Sequence, residues 1–170
     1  MRTHAGSPYS FLRPPFVFGM TVLALSMSAG CQPSATTPAS ESKDGMQEPL
    51  TSFQQVLTSS TTRLELAPAQ EIRIPVRIEN PGTESWVGIG KYPVTVSYKW
   101  YQNGNMLPIE GERTVFPGVI GPHGAANVDV RVVAPDKPGS YVVRVTLVQE
   151  GVAWFLLKSN TYLELPAVVK

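Results

Sequence analysis

The chain of 170 residues has a single cysteine, Cys31, and only two histidines, His4 and His123. A disulfide within one chain is therefore excluded, and a His/Cys metal cluster cannot be assembled from that set. An excess of one charge is also missing. Fourteen Lys and Arg stand against thirteen Asp and Glu, a formal net charge of +1, which is not the basic footprint of a nucleic-acid-binding protein. No Gly-x-Ser-x-Gly element marks a catalytic nucleophile, and no EF-hand spacing marks a calcium loop. Amphipathic runs of helical length are absent as well, and no apolar run reaches the roughly 20 residues that span a bilayer as helix.

What the chain does contain is turn chemistry and β-branched residues. It has 16 prolines and 14 glycines, with Val, Ile and Thr crowded after position 61, a composition that favours short strands joined by turns. With 42% hydrophobic residues the chain can fill one conventional core but not two. An all-β single domain is the expectation.

The first thirty residues read as a three-part export signal. Arg2, His4 and Arg13 precede an apolar run from Phe16 to Met27, and small residues then lead to Cys31. Leu25-Ser26-Met27-Ser28-Ala29-Gly30-Cys31 resembles the lipobox of bacterial lipoproteins, with Ser28 where that family usually places Leu. The resemblance implies cleavage after a signal peptide of residues 1–30, acylation (palmitate) on Cys31, and a lipid-anchored, extracytoplasmic cell-envelope location. Gln32, rather than Asp, after the cysteine is compatible with the outer membrane in a Gram-negative cell. From Gln32 to Pro49 the sequence is Pro, Ser, Thr, Ala and charge, too polar to offset the entropy of ordering. It reads as a flexible tether or an ordinary loose terminus. The domain expectation is thus residues 31–52 as lipidated N-terminus and linker, and 53–170 as the folded unit.

Alternation places several strands. Arg63 to Leu66 reads as an edge strand, and Ile72, Ile74, Val76 and Ile78 line one face of a half-buried strand in which Pro75 suggests a sheet edge or a bulge. Val94, Val96, Tyr98 and Trp100 form the inward set of the next long strand, closed by a hairpin-type turn at Asn103-Gly104. Arg113 to Phe116 reads as a short strand, and Val128 to Val132 and Tyr141 to Leu147 as longer ones. A hairpin at Glu150-Gly151 leads into an apolar strand from Ala153 to Leu157, and Thr161 to Leu165 reads as a final edge strand. Seven or eight such strands predict a single immunoglobulin-like antiparallel β-sandwich.

Asn80-Pro-Gly-Thr-Glu-Ser-Trp86, Val94 to Trp100, Ala134-Pro-Asp-Lys-Pro-Gly-Ser-Tyr141 and Val148 to Phe155 look like the immunoglobulin-like accessory domains of bacterial glycosyltransferases and methyltransferases, and like four-tryptophan sandwich domains of interaction proteins. Those domains are usually attached to a catalytic domain. The resemblance therefore implies a binding or spacing role, with no catalytic residue and no cofactor to transfer.

Three aromatics are the candidate ligand-binding residues. Trp86 lies in a Gly/Ser-rich connection that suggests exposure, and Tyr101 falls on the outward set of its strand. Trp154 is ambiguous: alternation puts it opposite Phe155, so one of the two is core, and the reading favours Trp154 inside. Trp100 reads as core. His123 in a Gly-Pro-His-Gly turn reads as a solvated histidine, and Glu110 and Glu112 as solubilising acids rather than a catalytic pair. The expected function is that of a non-catalytic, membrane-anchored binding module for envelope polysaccharide or an envelope protein. The alternative is a structural subunit that contacts partners by β-strand addition along Arg63 to Leu66.

Overall fold

A computed structural model describes residues 48–170. Cys31, its lipobox and most of the expected linker lie outside the described residues. Along the chain come β1 (Val56–Thr58), β2 (Leu64–Leu66), β3 (Glu71–Glu79), β4 (Trp86–Val87), β5 (Val94–Gln102), β6 (Asn105–Met106), β7 (Val119–Ile120), β8 (Ala125–Val133), β9 (Gly139–Gln149), β10 (Ala153–Trp154), α1 (Phe155–Ser159) and β11 (Leu163–Val169).

The strands form two layers. The smaller sheet has the order β1-β3-β8; the larger has the order β2-β11-β9-β5-β6, with β10 also paired to β9. A two-stranded β4-β7 ribbon completes the set. All pairings are antiparallel except that of β2 with β11. Period-two alternation drives the layering. Ile74, Val76 and Ile78 of β3 and Val128, Val130 and Val132 of β8 face Val94, Val96, Tyr98 and Trp100 of β5 and Val143, Val145 and Leu147 of β9 across one core. This is an immunoglobulin-like antiparallel β-sandwich.

Pro75 sits in the central strand of the smaller sheet, not at its edge. Ala134 N donates to Gln70 O and Asn80 N to Gly124 O, so the even-numbered residues of β3 bond β8 and the odd ones face β1. β1 stops at Thr58, opposite Arg77. The nitrogen of Pro75 therefore points beyond the end of β1, where no ladder bond is lost.

Aromatic side chains with polar tips join the layers where a disulfide is impossible. Trp100 Nε1 donates to Val133 O at 3.0 Å, and Val133 N donates to the Tyr98 hydroxyl at 2.9 Å. Two residues of the larger sheet thus satisfy both outward backbone groups of one residue at the edge of the smaller sheet. The core is therefore held by more than apolar packing. Tyr141 packs edge-on to Trp100 and donates its hydroxyl to Lys137 O at 2.9 Å, four residues upstream, the tyrosine-corner arrangement of immunoglobulin-like folds.

The structure departs from the alternation-based reading in four places. Residues 113–116 make only an isolated bridge, Val96 to Thr114, instead of a strand. The segment from Ala153 to Leu157 pairs for two residues and then turns into α1. The last strand, β11, lies between β9 and β2 and is not an edge. Residues 48–52 are not linker: Leu50 is 7% exposed, its amide donates to the buried Gln149 Oε1 at 2.9 Å, and Gln149 Nε2 donates to Glu48 O and Tyr92 O.

Gln55 plays a similar part. Where α1 leaves the β9 edge, the freed Leu147 N donates to Gln55 Oε1 at 2.8 Å, while Gln55 Nε2 donates to Thr146 Oγ1 and Thr161 O. A buried carboxamide stands in for the missing strand, and no buried side-chain polar atom among the described residues lacks a partner.

Candidate functional site

The outward set of β5 is Thr95, Ser97, Lys99 and Tyr101, opposite Val148, Thr146, Arg144 and Val142 of β9. Glu164 of β11 lies opposite Arg144 in turn. Pleating thus brings Lys99 and Arg144 side by side at the middle of the larger sheet's outer face, with an aromatic group at each end.

At one end, β10 places Trp154 opposite Val148. Lys99 Nζ lies 4.0 Å from the centroid of the Trp154 ring and the Arg113 guanidinium carbon 4.8 Å from it, so both cations meet the indole π-system. Glu110 binds Lys99 Nζ at 2.7 Å and Arg113 Nη2 at 3.0 Å, and Glu150 binds Arg113 Nε at 2.6 Å. The hydrogen bond from Lys99, reinforced by those from Arg113, holds the Glu110 carboxyl below the usual carboxylate range. Arg113 reaches this position because residues 110–114 cross the β5 edge in close contact: Arg113 Nη1 donates to Gly111 O at 2.7 Å and Ser97 Oγ to the same oxygen at 3.1 Å.

At the other end, the Arg144 guanidinium lies 4.2 Å from the Tyr101 ring and 4.3 Å from the Tyr162 ring, with its Nε 2.8 Å from Glu164. A cleft of about 310 Å³ opens here beside Tyr101, Asn103 and Ser140. A second, of about 260 Å³, lies along Arg113, Glu150 and Trp154. From Val142 to Val148 the strip runs about 20 Å at the rise of a β-strand. The three cations, Lys99, Arg113 and Arg144, are matched by Glu110, Glu150 and Glu164. The strip is charge-balanced and aromatic, with a cleft at each end.

The three candidate aromatics fare differently. Trp86 is 2% exposed and packs edge-on against Phe155 at 5.7 Å. Pairing of β4 with β7 folds it over the end of the core, so the exposure expected of it is corrected. Tyr101 does point outward, but it is only 9% exposed beneath Arg144. Trp154 is outward and half-buried, and Phe155 is the core residue, the reverse of the favoured reading. Tyr101 and Trp154 therefore share one face, at opposite ends of the strip.

Lys99, Arg113 and Tyr162 had not been singled out. For Lys99 the available signal is its place in the outward set of β5; Arg113 and Tyr162 fall in expected strands of which the first forms only a bridge at Thr114 and the second begins at Leu163. The remaining acids and the histidine do not assemble. Glu110 turns to Lys99 and Arg113 while Glu112 turns to Arg131, and His123 is exposed with a positive φ of 58°. Among the described residues no three His, Cys, Asp or Glu side chains come together as a metal-binding set.

No family model matches the chain, and no curated protein matches it. Solved structures do show likenesses. The CARDB domain of the PF1109 protein from Pyrococcus furiosus, crystallised with di-metal ions, is 15% identical over 69% of this chain and 94% of that one, with a TM-score of 0.36. The ASH/PapD-like domain 7 of human CEP192 is 16% identical over 76% and 96%, TM-score 0.36. SSP-19, an MSP-domain protein like family member in Caenorhabditis elegans, is 14% identical over 64% and 94%, TM-score 0.28. These are likenesses of shape at low identity, and the assignment rests on this chain's own strands: two packed sheets, a core tryptophan and a tyrosine corner make it an immunoglobulin-like β-sandwich.

Proposed function

We propose that this protein is a non-catalytic binding module, lipid-anchored through Cys31 at the cell envelope, that meets an extended partner along the outer face of its larger sheet. The observation that carries the reading is the aromatic strip. Trp154, Tyr101 and Tyr162 share one face with three cations laid over their rings and a carboxylate within reach of each cation. Such a face offers the half-buried Trp154 and Tyr162 rings, with Tyr101 beneath Arg144, together with hydrogen-bond donors and acceptors in charge balance. Envelope polysaccharide is the partner it fits best, with an extended protein segment next.

Cross-linking in whole cells tests this reading. The wild-type chain is expected to capture an envelope glycan or glycan-bearing complex, and Trp154→Ala combined with Tyr101→Ala is expected to reduce capture at least tenfold. Undiminished capture by the double variant overturns the strip as the site. Anchoring is tested separately. Cys31→Ser is expected to release the chain from membranes and abolish labelling with radioactive palmitate, and a variant still fully membrane-bound and labelled overturns it.

One observation favours the second reading, a structural subunit that assembles by β-strand addition. The expected edge, Arg63 to Leu66, offers little: β2 has three residues, and with Leu66 O taken by Lys170 N only Glu65 turns its backbone groups outward. β8 offers more. Its upper outward groups are occupied, Arg131 N by Thr114 Oγ1 and both groups of Val133 by Tyr98 and Trp100, but those of Ala125, Asn127 and Asp129 have no partner among the described residues. Asn127→Pro removes one outward N–H without touching an internal bond. Under this reading that variant folds and fails to assemble; assembly unchanged excludes it.

A further inference from the structure

A second recessed surface lies away from the strip, between residues 51–56 and the chain around the end of α1. It is a trough of about 730 Å³ lined by Thr51 to Val56, Pro81, Lys158, Ser159 and Thr161, more than twice the cleft at Tyr101 and within the range of small-ligand sites. Its walls are pinned from behind. The buried Gln55 side chain ties one wall to Thr161 O and to Leu147 N of β9. On the outer wall Glu84 accepts from Thr51 N, Thr51 Oγ1 and Ser52 N. Burial pushes the Glu84 carboxyl up, but these donations outweigh it and hold the group below the usual range.

The groups facing the opening are of three kinds. Phe53, set edge-on to Phe155 at 5.2 Å and only half-buried, contributes an apolar floor. Ser52, Gln54, Ser159 and Thr161 contribute hydroxyls and a carboxamide. Ser159 Oγ and Thr161 Oγ1 already hydrogen-bond each other, whereas the hydroxyl of Ser52 and the carboxamide of Gln54 have no partner among the described residues. Lys158 contributes one ammonium, likewise without a partner among the described residues, unlike the neutralised cations of the strip.

We propose that this trough binds a carbohydrate unit bearing a carboxylate, a uronic acid. Lys158 takes the carboxylate, the amide and hydroxyl groups take the ring hydroxyls, and Phe53 meets the apolar face of the ring. Each class of lining group excludes a simpler ligand. A bare anion would use only Lys158, and one exposed lysine holds an anion weakly. A neutral sugar would leave that ammonium unused, and a purely apolar ligand would strand the free amide and hydroxyls. The site is separate from the strip, so either can fail without the other.

The test uses the full-length chain purified in a non-glycosidic detergent and titrated calorimetrically with trigalacturonate, maltotriose and inorganic phosphate. Trigalacturonate is expected to bind at least tenfold more tightly than either of the others. Lys158→Gln is expected to weaken that binding tenfold or more, and Lys158→Arg to retain most of it; Trp154→Ala, at the strip, is expected to leave it unchanged. Absence of trigalacturonate binding overturns the proposal, as does equal binding of maltotriose or indifference to Lys158→Gln. Phosphate binding as tight as trigalacturonate overturns it too, by showing a bare cation site. Loss of trigalacturonate binding in Trp154→Ala, with Lys158→Gln unaffected, moves acidic-glycan binding to the strip and overturns the trough alone.

Discussion

The two sheets of the sandwich present outer faces built from the same kinds of charge but to different ends. On the smaller sheet Arg131 of β8 pairs with Glu71 of β3 and with Glu112 of a connecting segment, and Arg77 pairs with Glu79 along β3, side chain against side chain with no ring between them. On the larger sheet the cations are laid over Trp154, Tyr101 and Tyr162 before they reach their carboxylates. Exposed ion pairs contribute little to stability and are readily exchanged with water. Cations stacked on rings hold a flat apolar surface in place while keeping it soluble. The difference teaches that charge alone does not mark a contact face here; charge organised around aromatic rings does.

The comparison breaks most severely at Gly111, because a β-carbon there would lie 2.2 Å from Tyr98 O and 2.9 Å from Ser97 Oγ. Gly111→Ala is expected to push residues 110–114 off the β5 edge, with a loss of about 2–4 kcal/mol by urea denaturation. Asn127→Ala on the smaller sheet should stay within about 0.5 kcal/mol. If both changes cost the same, the larger face is not the more tightly built of the two.

Trp154→Ala comes next. It removes a half-buried ring and two cation contacts and is expected to cost about 1–2 kcal/mol, more than Arg131→Ala, whose ion pairs are exposed to water; thermal denaturation of the pair decides it. Arg144→Gln should cost about 0.5–1 kcal/mol, less than Trp154→Ala because both tyrosines stay in place, and partner capture should fall more than stability does.

The smallest effect is the pH dependence. The hydrogen bond from Lys99, with those of Arg113, lowers Glu110, and the hydrogen bond from Arg131 lowers Glu71. A carboxyl lowered in the folded state contributes stability that is complete above its unfolded value, about 4.3, and is lost as pH falls through the lower folded value. Both faces should therefore lose stability below about pH 4. Glu110→Gln should flatten the acid limb more than Glu71→Gln, because Glu110 serves two cations. Equal flattening removes this distinction between the faces.

Much of the sandwich was legible because its strands alternate strictly. Ile74, Val76, Ile78, Val94, Val96, Tyr98 and Trp100 are all buried where a period of two puts them, and Asn103-Gly104 makes its two-residue turn with φ of 50° and 78°. Legibility ends where a side chain's environment is set by distant chain. Nothing near Trp86 announces that β7, more than thirty residues on, will fold it onto Phe155. The ambiguity at Trp154 arises because the strand that would settle it gives way to α1 after two residues. Glu48 to Ser52 has linker composition, yet Gln149, about a hundred residues away, ties its amide and carbonyl down. Of the strip, only the outward place of Tyr101 was legible; Trp154 was a candidate read as inside, and Arg113 and Tyr162 were set by the course of a connection and by the packing of β11.

The clasp that Gln149 makes on Glu48 and Leu50 has a mechanical consequence. Among the described residues, a pull on Glu48 from its N-terminal side meets these bonds first, and they are fastened to β9, the middle strand of the larger sheet. Tension thus enters at the end of β9 before it reaches β1, the short edge strand that follows along the chain. Gln149→Ala should lower the force at which residues 48–58 detach in a single-molecule pulling experiment, while leaving the sandwich beyond them folded.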